Sequence, residues 1–279
     1  MTYKSILVHV DTSPVCRQRI ALAIELATSH QAHLIGIAPT GVLYLPFGAG
    51  GDVTGLYYEQ AATALKEIAQ KGIDAFEQQV RLAGLTSSES RVVDDDANVA
   101  LTLHGHYVDL IILGQKDPDA QGVAVDAMLP QHVLMHAARP VLVVPYTGQF
   151  SNIGQKVMVA WDGGRESARA VSDAMPLLKQ AVQVQVAVFN SQKGSVDAHG
   201  QEPGADIALF LTRHGVKVEV SPEETSIDVG NALLSRMADY GSDLLVMGGF
   251  GHSRFRETIL GGVTKTILEH MTVPVLMSH

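Results

Sequence analysis

Short apolar runs of strand length alternate along this chain with longer stretches in which apolar residues recur every three or four positions, and the whole alternation is written twice. Near the start of each round an apolar strand ends in aspartate: Ile6-Leu7-Val8-His9-Val10-Asp11 and Val157-Met158-Val159-Ala160-Trp161-Asp162. Near each end, Asp109-Leu110-Ile111-Ile112-Leu113-Gly114 matches Asp243-Leu244-Leu245-Val246-Met247-Gly248. At the same distance beyond each glycine a proline, Pro140 or Pro274, opens a further apolar run. Residues 32–37 and 182–189 supply a second strand to each round. Helical spacing fills the gaps. Ile20, Ala23, Ile24 and Ala27 share one face of a first helix, with Ser13 as its N-cap and Pro14 as its first residue; Ala168, Val171, Met175 and Leu178 form the matching stripe. A longer helix is predicted over about 57–82, and another, capped by Ser226, carries Leu233, Leu234, Met237 and Ala238 to a stop at Gly241. Strands and helices alternating in this way call for an α/β fold, its parallel sheet covered on both faces.

The repeat divides the chain into residues 1–147 and 154–279, with 146–155 as linker. The first copy is the longer, its extra residues falling around 41–51 and in the long helix. Gly48, Gly50 and Gly51 do not directly follow a strand and read as a flexible insertion rather than a phosphate loop.

One stretch carries candidate chemistry. Gly248, Gly249, Gly251, Gly261 and Gly262 lie between the apolar run 244–247 and a helical run starting at Thr264. Glycine lets backbone N–H groups approach an anion, and the positive end of a following helix favours negative charge, so the arrangement suits a phosphate. The spacing is neither GxGxxG nor a loop ending in GK[ST]. An alternative stays open, in which these glycines merely end a strand and open a helix. Laid on the second copy, the first has Asp117 opposite Gly251, Ala127 opposite Gly261, Met128 opposite Gly262 and Pro130 opposite Thr264. An aspartate repels phosphate and a methionine side chain blocks backbone approach; the first copy is expected to keep the sheet and lack the anion site.

Composition narrows the function classes. The 279 residues are 46% hydrophobic and 18% charged, as in a globular chain, and no run approaches the length of a membrane helix. The first residues do not read as a signal peptide, and the single cysteine, Cys16, cannot form an internal disulfide; both fit a cytoplasmic protein. Cys16 stands near a helix start, where its thiol could be reactive, but burial as a small apolar residue is the expectation. A net charge of −9 argues against nucleic acid as partner. Twelve histidines are scattered without metal-ligand spacing, so no structural metal is expected.

With these residues in view, the chain resembles the tandem universal stress proteins, two such units fused in one polypeptide. Nucleotide-binding members carry G-x2-G-x9-G-(S/T) after the fourth strand, which Gly248, Gly251 and Gly261 match. Residues 159–170 resemble the family's first strand and loop. The resemblance implies two open, five-stranded parallel sheets of order 3-2-1-4-5, helices on both faces, joined through their fifth strands as a pseudo-dimer. It implies an adenine nucleotide such as ATP, with magnesium or manganese carried on its phosphates. Asp162 would lie near the ribose, Phe189 and Asn190 near the base, and Gly248, Gly251, Gly261, Gly262, Val263 and Thr264 around the phosphates. Trp161, Met247 and His252 are counted with them, and Arg254 and Arg256 lie in the same loop. Asp162 alternatively caps the next helix, which is all that Asp11 is expected to do. One departure stands out: Gly262 occupies the position of the family's Ser/Thr, and only Thr264 could partly replace that hydroxyl.

The function implied is a cytoplasmic stress-response protein whose second unit binds nucleotide and acts as a switch toward a protein partner, with a further homodimer open. A nucleotide-free interaction module and a slow ATPase are the alternatives. No SGGxDS loop, HxGH motif or GxSxG elbow is present to support an enzyme.

Overall fold

The computed structural model describes residues 2–42, 52–118, 128–190, 204–251 and 262–279. The first half runs β1 (Ser5–His9), α1 (Cys16–His30), β2 (His33–Pro39), α2 (Asp52–Ala83), β3 (Ser88–Val93), α3 (Ala97–Gly105), β4 (Leu110–Gly114), α4 (Leu129–His136) and β5 (Val141–Val144). The second runs β6 (Lys156–Ala160), α5 (Arg165–Leu178), β7 (Gln183–Phe189), α6 (Ala205–Arg213), β8 (Val218–Glu223), α7 (Val229–Tyr240), β9 (Leu244–Gly248), α8 (Gly262–His270) and β10 (Val275–Ser278). All ten strands form one sheet of order β3-β2-β1-β4-β5-β10-β9-β6-β7-β8. Each half therefore has the order 3-2-1-4-5. Within a half every pairing is parallel; at the join, β5 and β10 pair antiparallel through Val143 and Val275, Leu142 and Leu276, and Val141 and Met277.

Central strands such as β4, β5, β9 and β10 are apolar almost throughout because both faces are covered. One core lies under α1, α2, α5 and α6, through Ile20, Phe76, Val171 and Leu211. The other lies under α3, α4, α7 and α8, through Leu101, Val133, Leu233 and Ile267. Edge strands β3 and β8 are half exposed; Glu89 and Arg91 on one and Pro222 on the other discourage further strand pairing.

Local starts differ from expectation in two places. Helix α1 begins at Cys16 rather than at Pro14, because Ser13 is turned back, its N–H and hydroxyl both donating to the Asp11 carboxylate. Helix α7 is capped by Asp228, not Ser226: the Asp228 carboxylate accepts the Asn231 N–H, while the stop at Gly241 is in the left-handed region as read. The long helix over 57–82 extends over Asp52–Ala83. Gly48, Gly50 and Gly51 lie outside the described residues.

Polar contacts reinforce the join. Tyr3, buried against the second half, donates its hydroxyl to the Asp173 carbonyl at 2.8 Å, while the Asp173 carboxylate accepts from Ser278 within its own half. Gln115, just past β4 and buried, donates to the carbonyls of Leu268 and Glu269 in the last turn of α8, while its own oxygen accepts the Tyr146 N–H. Gln115→Leu keeps the bulk but strands these groups, and should lower unfolding stability by about 1–3 kcal/mol. An unchanged urea midpoint at unchanged slope would show that the junction does not need them.

Candidate functional site

In the second half, strand register brings the sequence-predicted residues to one edge. Ala160 pairs with Ala187 on one side and Met247 on the other, and Trp161 donates its N–H to the Ala187 carbonyl. The next residues of β6, β7 and β9, namely Asp162, Phe189, Asn190 and Gly248, therefore emerge at the same carboxyl edge. Because α5 leaves β6 toward β7 while β9 lies on its other side, a crevice opens between β6 and β9, where open α/β sheets take ligands.

The individual side chains differ in availability. Asp162 is exposed, and its carboxylate accepts the Gly164 N–H at 2.8 Å, shaping the turn into α5. Trp161 and Phe189 are half buried against the two cores. Asn190 has a left-handed backbone (φ +49°), and its amide oxygen accepts the Thr225 N–H. Met247 is a core side chain, 4% exposed. Thr264 is buried, and its hydroxyl accepts the Phe250 N–H at 3.1 Å, so it braces the loop after β9. That brace matters because Phe250 is held at φ +60°, a costly conformation for an aromatic residue. Val263 is half buried. His252, Gly261, Arg254 and Arg256 lie outside the described residues.

The glycines separate by what surrounds them. A Cβ on Gly248 would come within 2.6 Å of the Ser167 nitrogen in the first turn of α5, and one on Gly249 would meet Leu134 of the first half. Those two glycines are required by packing alone. A Cβ on Gly251 would lie 3.0 Å from the Glu166 carboxylate, whereas one on Gly262 would meet nothing within 4 Å among the described residues.

In the first half the equivalent crevice contains Arg19. Its guanidinium, 3% exposed, donates from Nε to the His9 carbonyl and from Nη2 to the Asp11 carboxylate at 2.7 Å, and its third nitrogen lies against Gly114. Asp11 is thus the counter-ion of a buried arginine, more than the helix cap expected of it. Burial alone would raise its carboxyl, but Arg19 overrides this and holds it far below the usual carboxylate range. Cys16 is buried, and desolvation pushes its thiol up, away from reactivity. The repeat places Ala170, fully buried, where the first half has Arg19. Sequence reasoning passed over Arg19, although an arginine in the turn before the apolar stripe Ile20, Ala23, Ile24 and Ala27, opposite an alanine in the other copy, was the signal.

Comparison with known proteins agrees with this architecture. The family model described as the universal stress protein family matches residues 2–145 and again 154–279. A universal stress protein from Synechocystis sp. is 28% identical over 174 residues, covering 60% of this chain and 57% of that protein; the match thus spans less than two thirds of that relative. The crystal structure of a universal stress protein from Archaeoglobus fulgidus superposes with a TM-score of 0.72 at 15% identity, over 98% of this chain and 97% of that one. A functionally unknown protein from Pseudomonas aeruginosa gives 0.57, also at 15% identity, over 99% and 92%. At such identities the structures speak for the fold alone.

The Arg19 cluster makes stability depend on pH. Burial, with Arg19 adding to it, lowers the His9 pKa from 6.5 to about 4. Between those values the unfolded chain binds a proton at His9 that the folded chain refuses. Stability is therefore full above pH 6.5 and falls as pH drops toward 4, by about 3 kcal/mol in all. Asp11, also shifted downward but from a lower starting value, keeps its contribution through this window and loses it only at more acidic pH. Urea titrations of native protein and His9→Gln should show the slope between pH 4 and 6.5 flattened in the variant; parallel profiles would refute the assignment.

Proposed function

The chain belongs to the universal stress protein family, and from that premise we propose that its second half binds an adenine nucleotide, ATP foremost, between β6 and β9. The observation that carries the reading is the contrast between the halves: the buried Arg19 guanidinium fills the first crevice and is held by Asp11, while the second has Ala170 at that position and a carboxylate, Glu166, beside the glycines that follow β9. Asp162 stands at the ribose position, Phe189 and Asn190 at the base, and the backbone of Gly248, Gly251 and Gly262 faces the phosphates. His252 and Gly261 complete the motif in sequence. Gly262 supports this arrangement as the first residue of α8, where backbone N–H groups and the helix dipole favour an anion. Magnesium or manganese accompanies the nucleotide.

Residues 1–147 form the unit without an anion site and 154–279 the unit with one. Occupancy changes which protein partner is engaged in the cytoplasm. Among the described residues no helix is long and apolar enough to cross a membrane, and a net charge of −9 disfavours nucleic acid. The site acts as a switch: backbone groups hold ground-state phosphate, which does not by itself lower the barrier to its transfer, so hydrolysis falls far below the median enzyme rate of about 10 per second. A second reading, a nucleotide-free interaction module, draws on Gly262, which removes the motif's hydroxyl.

Calorimetric titration should give one ATP site per chain; two equivalent sites, or none, would refute the reading. Gly262→Ser restores the hydroxyl at a position where no described residue crowds a Cβ and the backbone is not left-handed. It should tighten ATP binding several-fold, equivalent to about 0.5–1.5 kcal/mol for one hydrogen bond. Weaker binding by a folded variant would mean that the hydroxyl does not point at phosphate.

A further inference from the structure

Glu166, in the first turn of α5, is a residue that the family motif does not include. Its side chain is 6% exposed. One carboxylate oxygen pairs with Nε of the adjacent Arg165, and the other lies 3.0 Å from where a Cβ on Gly251 would stand. That second oxygen has no hydrogen-bond partner among the described residues. A buried carboxylate thus faces the backbone of a loop whose glycines suit an anion. The first half has Val15 at the corresponding helix position.

A phosphate seated on the Gly251 backbone would be a close neighbour of this carboxylate, and two negative groups in a partly desolvated crevice repel strongly. Among the described residues the cation beside it, Arg165, offsets the charge only weakly, because its side chain is 86% exposed and screened by water. A hard divalent cation resolves the conflict, since it takes carboxylate and phosphate oxygens together. Resting on the nucleotide reading above, we infer that Glu166 makes this site select the metal complex of the nucleotide over the free anion, its unpartnered oxygen serving the cation. Glu166 is then a specificity residue: nucleotide occupancy reports nucleotide and divalent cation together.

Titration calorimetry with ATP, in excess magnesium chloride and in EDTA, tests this on the full chain. Native protein should bind ATP at least about tenfold tighter with magnesium, the scale expected for one unscreened like-charge contact. Glu166→Gln, nearly isosteric, should shrink the gap to about twofold, mainly by strengthening metal-free binding. Arg165→Ala, an exposed change that cannot disturb the core, should widen the gap by leaving the carboxylate uncompensated. Equal native affinity in magnesium and EDTA, or an undiminished gap in folded Glu166→Gln, would overturn the inference while leaving nucleotide binding intact. No binding of ATP by the native chain in either condition would overturn the nucleotide reading itself.

Discussion

In each half the first strand has its sequence neighbour on one side and the fourth strand on the other, and this reversal fixes where chemistry can occur. Chain leaving β1 turns toward β2 through α1, and chain leaving β4 turns toward β5 through α4, so the two exits diverge. Backbone at the divergence cannot be paired within the sheet and must be satisfied by side chains or by a ligand. The first half uses Arg19, which takes the His9 carbonyl and spans to Asp11. In the second half the brace is smaller: Asp162 closes its own turn, and the Thr264 hydroxyl takes up the Phe250 N–H.

The antiparallel pairing of β5 with β10 determines how the halves serve each other. Because the strands of one half run opposite to those of the other, the two crevices open at opposite edges of the common sheet. The loop following β9 therefore lies near the chain entering β5, and Leu134 packs against Gly249 there. At the other end of α8, Gln115 holds the last carbonyls of the helix whose first residue is Gly262. The first half thus supports both ends of the segment that runs from the end of β9 to the end of α8. A fused repeat keeps this support at fixed stoichiometry, independent of protein concentration.

The strands and their pairing were legible in the sequence because central parallel strands must be apolar on both faces, which leaves little room for other patterns. Helix starts were less so. Ser13 and Ser226 are sound caps by local rules, but Asp11 draws Ser13 back, and Asp228 stands closer to the N–H groups that need an acceptor. The candidate site was legible as a set of strand ends and glycines. What the motif could not say is that Gly248 and Gly249 answer to packing, that the Thr264 hydroxyl serves the loop, or that Glu166 faces Gly251. Those facts depend on α5, α4 and α8 all packing against the chain that leaves β9, contacts that the motif's spacing does not contain.

The Arg19 cluster is weakly explained as a device for stability. A buried ion pair must overcome the desolvation of both charges and often does no better than apolar packing of the same volume. This chain contains that alternative, since Ala170 closes the same turn of the homologous helix with no charge at all. What the arginine does and an alanine cannot do is occupy the crevice, satisfying the His9 carbonyl and Asp11 from within. Once there it is hard to lose its partner, because removing Asp11 leaves the arginine's charge buried and unpaired, typically at about 3–5 kcal/mol. After such a substitution a duplicated unit can no longer respond to a ligand at that place, yet it remains rigid. Rigidity is what the second half draws on through Leu134 and Gln115. The asymmetry between the copies is then one of side chains: Arg19 seals the first crevice, whereas the second has Ala170 at that position and Glu166 at the start of the helix.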